Sequence, residues 1–290
     1  MFEGSIVAIV TPMKDGALDE KSLRNLLRMH RESGTRGIVP AGCTGEAATL
    51  SFDERSRLLE ICLEEVGDAM PVIPGTGSNS TAETIRLTRA AKDAGAHGVL
   101  LITPYYNKPT PEGQYLHYRA VADAVDVPIV LYNVPSRTGV SMTPETVARL
   151  SEIPSVVALK EAGGSVDRVS AILELAEITI LSGDDPLTLP MMAVGARGVV
   201  SVVANVLPKL VADMVGSFPD SPARALELHR TLRRIARPLF IETNPGPVKH
   251  VMAEVGLIKS GELRPPLVGP REDSRRTLAA TIQEVRAAGR

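Results

Sequence analysis

Val156-Val157-Ala158-Leu159-Lys160-Glu161 is an apolar run that ends in a charged pair. It is short, opens on β-branched residues and lacks glycine and proline, so it reads as a strand buried on both faces of a parallel sheet. The preceding run, Val127-Pro128-Ile129-Val130-Leu131-Tyr132-Asn133, has the same form and ends in tyrosine. Working outward, further apolar runs begin near Ile6, Gly37, Val72, Gly98, Ile178 and Gly198. That makes eight in all. Amphipathic stretches with helix signals separate them. Ser51 with Glu54 and Ser80 with Glu83 fit capping boxes, Pro111 and Pro144 fit first helical positions, and Gly34, Gly67 and Gly95 fit C-terminal caps. Strand and helix alternate every 30 residues or so, about one βαβ unit. Eight such units favour a closed (β/α)8 barrel, the TIM-barrel form of α/β architecture, over an open sheet.

A weak repeat supports this reading. Gly34-Thr35-Arg36-Gly37-Ile38-Val39 recurs as Gly95-Ala96-His97-Gly98-Val99-Leu100 and as Gly195-Ala196-Arg197-Gly198-Val199-Val200. Each copy is a glycine that ends a helix, two turn residues and a glycine that opens a strand. These turns belong to the barrel floor, so His97 reads as a turn residue. The barrel pattern stops near Pro219. We therefore expect a catalytic barrel over residues 1–220 and a C-terminal helical appendage over 221–290, of a size that suits docking or oligomer contacts.

Composition narrows the function. Hydrophobic residues make up 44% of the 290 and charged residues 23%, enough for a sizeable core. A net charge of −2, no Trp and four Phe give no basic field and no stacking platform for nucleic acid. No run approaches ~18 apolar residues, so no membrane span is expected. The first residues read as a strand, not a signal peptide, and two cysteines fit a reducing cytoplasm. The five histidines lack metal-ligand spacing, and Gly75-Thr76-Gly77-Ser78 lacks the full nucleotide-loop pattern and reads as a turn. No metal and no cofactor are expected. The loops after the last two runs, Ser182-Gly183-Asp184-Asp185 and Ala204-Asn205, carry no basic glycine-rich cradle for a phosphate.

In such a barrel the chemistry sits at strand C-termini and the loops that follow. A buried strand-end ammonium must be neutralised, paired or used. Set beside a phenol, Lys160 and Tyr132 point to imine formation on a small carbonyl compound. Gly42-Cys43-Thr44-Gly45-Glu46 is a glycine turn opening a helix, which suits a carboxylate, and a plain βα turn is its alternative. Thr103-Pro104-Tyr105-Tyr106-Asn107-Lys108-Pro109 places two tyrosines on a proline-braced loop, where packing is the alternative. In Asn133-Val134-Pro135-Ser136-Arg137-Thr138-Gly139, Arg137 is pinned to present its fork to a carboxylate or is a plain surface arginine.

Together these segments resemble the dihydrodipicolinate synthase branch of the pyruvate-dependent class I aldolases, a superfamily that also holds N-acetylneuraminate lyase. The resemblance spans nearly the whole chain. It implies a cofactor-free lyase of lysine and diaminopimelate biosynthesis that condenses pyruvate with L-aspartate 4-semialdehyde to give 4-hydroxy-tetrahydrodipicolinate. By the same resemblance Lys160 forms the Schiff base, Tyr132 donates and accepts protons, Thr44 holds the pyruvate carboxylate, and Val200 lines the pocket. Tyr106 completes the relay from a neighbouring subunit, and Arg137 meets the carboxylate of the semialdehyde. The implied assembly is a homotetramer, a dimer of dimers. Cys43 departs from the family's usual threonine, and a thiol is the weaker relay partner. Ala47, Phe52 and Arg55 depart from the pattern of lysine-sensitive members while Asn79, Glu83 and Tyr105 keep it, so weak or absent inhibition by L-lysine is expected. The competing readings are a sister aldolase acting on a 2-keto-3-deoxy sugar acid, which would not need Arg137, and a non-catalytic keto-acid-binding regulator, which would not need Lys160, Tyr132, Tyr106 and Thr44 together.

Overall fold

The computed structural model describes residues 2–288; Met1, Gly289 and Arg290, which the expected 1–220 and 221–290 units include, lie outside it. Seven parallel strands, Gly4–Ala8, Gly37–Val39, Val99–Ile102, Ile129–Asn133, Val156–Glu161, Thr179–Ser182 and Gly198–Ser201, run side by side with helices between them. The first strand pairs with both the second and the last, which curls the sheet into a barrel. The remaining gap is filled by the Val72 run, through single bridges from Val72 to Ile38 and from Gly75 to Leu100. Pro71 and Pro74 have no N–H to give, so this segment cannot form the continuous ladder expected of an eighth strand. Its glycines have a different task from the expected turn. A Cβ on Gly75 would sit 2.2 Å from the Ala41 carbonyl oxygen, and one on Gly77 would sit 2.5 Å from the Ile102 nitrogen. Close backbone approach closes the barrel here.

Strand alternation sorts side chains into two layers. Ile6, Ala8, Val39, Ile73, Leu100, Val130, Ala158, Leu181 and Val200 fill the barrel interior, with Phe2 beneath them. Val7, Ile9, Ile38, Leu101, Leu131, Leu159 and Ile180 face outward onto the helices. The same alternation turns Tyr132 and Lys160 inward at the upper end of their strands.

The helix signals act largely as read. Ser51 and Glu54 form a reciprocal capping box, and Pro111 and Pro144 open their helices. Ser80 caps Glu83, but the Glu83 carboxylate turns to Arg86 and leaves that box half-made. Gly34, Gly95 and Gly195 take positive φ at the three repeated turns, as a chain leaving a helix for a strand requires. Beyond the barrel, helices Pro222–Leu239, Gly246–Glu254 and Glu272–Ala288 pack on one another and on the segments after the last two strands. Their apolar faces, including Leu228, Leu232, Ile235, Val251 and Leu278, join the outer core layer.

Candidate active site

The tyrosine and lysine strands pair with Tyr132 directly opposite Lys160. Behind this inward-facing pair, the next residues face outward and lock the register. Asn133 Nδ2 donates to both Glu161 carboxylate oxygens at 2.9 and 3.1 Å, and Arg168 Nε donates to the same carboxylate at 2.9 Å. Glu161 is fully buried, so these charge-assisted bonds offset its desolvation.

Lys160 Nζ lies 4.2 Å from the centroid of the Tyr132 ring. Room for it comes from Gly183, where a Cβ would come within 3.1 Å of Lys160 Cε and 2.8 Å of Ala162 Cβ. The lysine is 5% exposed and, among the described residues, makes no salt bridge. Burial lowers its ammonium to about 8 from the ordinary 10.5; Cys43 and Asp185 pull it back up, and Arg137 pushes it further down. Asp185 is itself tied down by Ser201 Oγ and the Val202 N–H. Burial and the Cys43 thiol drive the Tyr132 phenol well above its ordinary range, so at neutral pH it carries its proton. A largely desolvated amine thus stands beside a protonated phenol. That is the pairing imine chemistry needs.

The Gly42–Glu46 turn stands over this pair, bounded by Ala41 and Glu46 at positive φ. It does not open an α-helix as expected. A 3-10 turn, Ala47–Thr49, intervenes, and helix Phe52–Val66 starts later with its own serine cap. The turn's internal bonds use the Glu46 and Ala47 N–H groups, and the Thr44 N–H makes none among the described residues. Thr44 is buried and its hydroxyl accepts from Asn244 Nδ2 at 2.9 Å. Arg137, on the short helix Pro135–Thr138, donates to the Asn244 carbonyl oxygen at 2.9 Å. Thr44, Tyr132, Arg137, Lys160, Gly183, Asp184 and Asn244 line one cavity of about 660 Å³. Cys43, Arg55, Tyr105, Tyr132 and Arg137 line an adjoining one of about 310 Å³, so Tyr132 and Arg137 stand between the two.

The structure therefore brings Lys160, Tyr132, Cys43, Thr44 and Arg137 together. It does not bring Tyr106 to them: that side chain is 89% exposed and its φ is +73°. Val200 sits lower, in the apolar layer under Tyr132, and Val202 is the residue of that segment on the larger cavity's wall. Sequence reasoning missed Asn244, Gly183 and the Glu161–Arg168 clamp. Glu161 beside the lysine was a signal for the clamp, because a second charge on a buried strand needs its own partner. On the wall of the smaller cavity, Arg55 donates to the Ala47 carbonyl at 2.5 Å; Glu83 is paired with Arg86, which stacks on Phe52.

Three comparisons bear on this geometry. The model of the Dihydrodipicolinate synthetase family matches residues 1–285. The 4-hydroxy-tetrahydrodipicolinate synthase of Pelobacter propionicus is 54% identical over 98% of both chains. The structure of the 4-hydroxy-tetrahydrodipicolinate synthase from Methylacidiphilum fumariolicum SolV superposes with a TM-score of 0.97 at 44% identity, covering 99% of this chain and 97% of that one. The dihydrodipicolinate synthase of Acinetobacter baumannii, crystallised in complex with pyruvate, gives 0.95 at 44% identity, covering 98% and 99%.

Proposed function

The chain belongs to the dihydrodipicolinate synthetase family, and from that premise we propose how its residues carry out the reaction. The activity is that of a 4-hydroxy-tetrahydrodipicolinate synthase, a lyase that condenses pyruvate with L-aspartate 4-semialdehyde. The neutral Lys160 amine attacks C2 of pyruvate, water leaves, and an iminium links the two. The iminium withdraws electrons, the pyruvate methyl gives up a proton, and the resulting enamine carbon bonds to the aldehyde carbon. Tyr132, linked to Cys43, supplies and removes the protons. The amino group of the second substrate then attacks the imine carbon. This closes the ring and frees Lys160.

Thr44 holds the pyruvate carboxylate with its hydroxyl and N–H, and Arg137 takes the carboxylate of the semialdehyde. Val200 supports the pocket from below. Tyr106 completes the relay in a neighbouring subunit: a tyrosine almost wholly exposed on a left-handed backbone is the part of this site that its own chain does not use. We accordingly read the assembly as a homotetramer, a dimer of dimers. We read 1–220 as the catalytic barrel and 221–290 as a helical appendage to it, and the free thiols of Cys43 and Cys62 fit the cytoplasm. Arg55, hydrogen-bonded within its own chain, fits an enzyme that L-lysine does not control.

One observation carries the reading: a buried lysine that makes no salt bridge among the described residues, facing a protonated tyrosine in a cavity that also holds Thr44 and Arg137. The test is a product assay with pyruvate and L-aspartate 4-semialdehyde, run beside one with 2-keto-3-deoxy sugar acids. Turnover in the first and none in the second is expected; the reverse would overturn the reading.

A further inference from the structure

The C-terminal segment reaches back over the barrel at one residue. Asn244 is buried, and its side-chain Nδ2 donates to Thr44 Oγ1 at 2.9 Å. A threonine hydroxyl has one proton to give and two lone pairs to receive with. With one lone pair occupied by the amide, the proton is free to be given elsewhere, and a carboxylate can only accept. The same residue's backbone carbonyl oxygen accepts from Arg137 at 2.9 Å.

What holds Asn244 in place is also visible. Helix Gly246–Glu254 begins two residues later, and its Lys249 is fully buried against the far end of the Thr44 turn. Lys249 Nζ donates to Glu46 Oε1 at 2.7 Å and to the Thr11 carbonyl oxygen at 3.0 Å. The Arg264 N–H donates to Glu46 Oε2 at 3.1 Å, and Thr11 Oγ1 donates to the Gly45 carbonyl oxygen at 2.7 Å. Turn and appendage are therefore fixed to each other at Thr44 and again at Glu46, two residues on.

We propose that Asn244 is a positioning residue that sets the polarity of Thr44, accepting at its inner side so that its hydroxyl donates to the keto-acid carboxylate. This rests on the reading of the site given above. It makes the appendage part of keto-acid recognition, and it predicts effects that a space-filling role would not produce.

The experiment is steady-state kinetics with both substrates on the full-length enzyme, together with borohydride trapping of the pyruvate adduct at saturating pyruvate. Asn244→Ala should raise the KM for pyruvate about tenfold, as loss of one oriented hydrogen bond does, with a smaller effect on kcat. In a Thr44→Val background the same substitution should add nothing, because the hydroxyl it acts through is gone. Asn244→Asp keeps the shape and so guards against misfolding. Its carboxylate would take the hydroxyl proton, and its pyruvate KM should exceed that of Asn244→Ala. A wild-type pyruvate KM in either Asn244 variant, or full additivity with Thr44→Val, would overturn the proposal. If trapping fails to label Lys160 in the wild type, the reading of the site falls. If Lys160 is labelled and the pyruvate KM values do not move, only the role of Asn244 falls.

Discussion

Two lysines are buried among the described residues, and they are buried to opposite ends. Lys249 is wholly inaccessible and ion-paired to Glu46, with the Thr11 carbonyl as a further acceptor. Lys160 is almost as deeply buried yet makes no salt bridge among the described residues; the Asp185 carboxylate acts on it without ion-pairing, and the lysine faces the Tyr132 ring and the wall of a cavity. Burial pushes both ammonium groups down, and at Lys249 the Glu46 carboxylate opposes the push. Burial alone therefore does not make a lysine reactive. What sets Lys160 apart is space for a substrate and, among the described residues, no ion-paired carboxylate. One lysine holds the C-terminal segment onto the Gly42–Glu46 turn; the other is, in the function we propose, left to react.

The largest expected difference between them is in turnover. Lys160→Ala should lose on the order of 10⁴-fold or more in kcat, as loss of a covalent nucleophile does, measured by product formation at saturating substrates. The second difference is in stability. Lys249→Met strands the Glu46 carboxylate in the core and should cost about 3–5 kcal/mol in denaturant unfolding. An unchanged midpoint would mean that the Lys249–Glu46 pair is not structural.

The sign reverses at Lys160. Its folded ammonium ionises near 8 against an ordinary 10.5, so the folded state bears the full cost of the buried charge below pH 8. That cost fades as pH rises toward 10.5. Lys160→Met should accordingly stabilise the protein at pH 7 by an amount of order 3 kcal/mol, with the gain shrinking above pH 8. In the wild type, the rate of adduct formation at low pyruvate should climb about tenfold per pH unit up to about 8 and then level off, following the neutral amine. A flat profile would contradict the lowered value.

Smaller effects test the surroundings. Cys43→Thr should leave turnover equal or a few-fold higher, since a hydroxyl relays protons better than a thiol; a large loss of rate would give the thiol a dedicated role. Free L-lysine should have the least effect of all, because Arg55 bonds to the Ala47 and Gly75 carbonyls and Glu83 to Arg86. An inhibition constant in the micromolar range would contradict that.

The contrast between the two lysines also shows what a sequence can reveal. Lys160 was legible because it closes an apolar run and strand alternation dictates which way it points. Tyr132 was legible for the same reason, and the shared barrel register brought the two together. Thr44 and Arg137 were marked by glycine- and proline-bounded loops at strand ends. The Val72 run was read as a full strand because hydrophobicity speaks to burial but not to the continuity of ladder bonds, which its prolines interrupt. Asn244 and Lys249 were not legible. Their partners, Thr44 and Glu46, lie about 200 residues away in the chain, and a polar residue in a proline-rich stretch looks like any loop residue until the chain folds back. Gly183 gave no hint either, because its need for space is set by Lys160 on the neighbouring strand.

The most direct measurement is peptide mass spectrometry of the intact enzyme after incubation with pyruvate and borohydride reduction. A single reduced pyruvate adduct on the peptide that contains Lys160, with Lys249 unmodified, is the predicted result. An adduct on another lysine, or equal condensation rates for the wild type and Lys160→Ala, would contradict it.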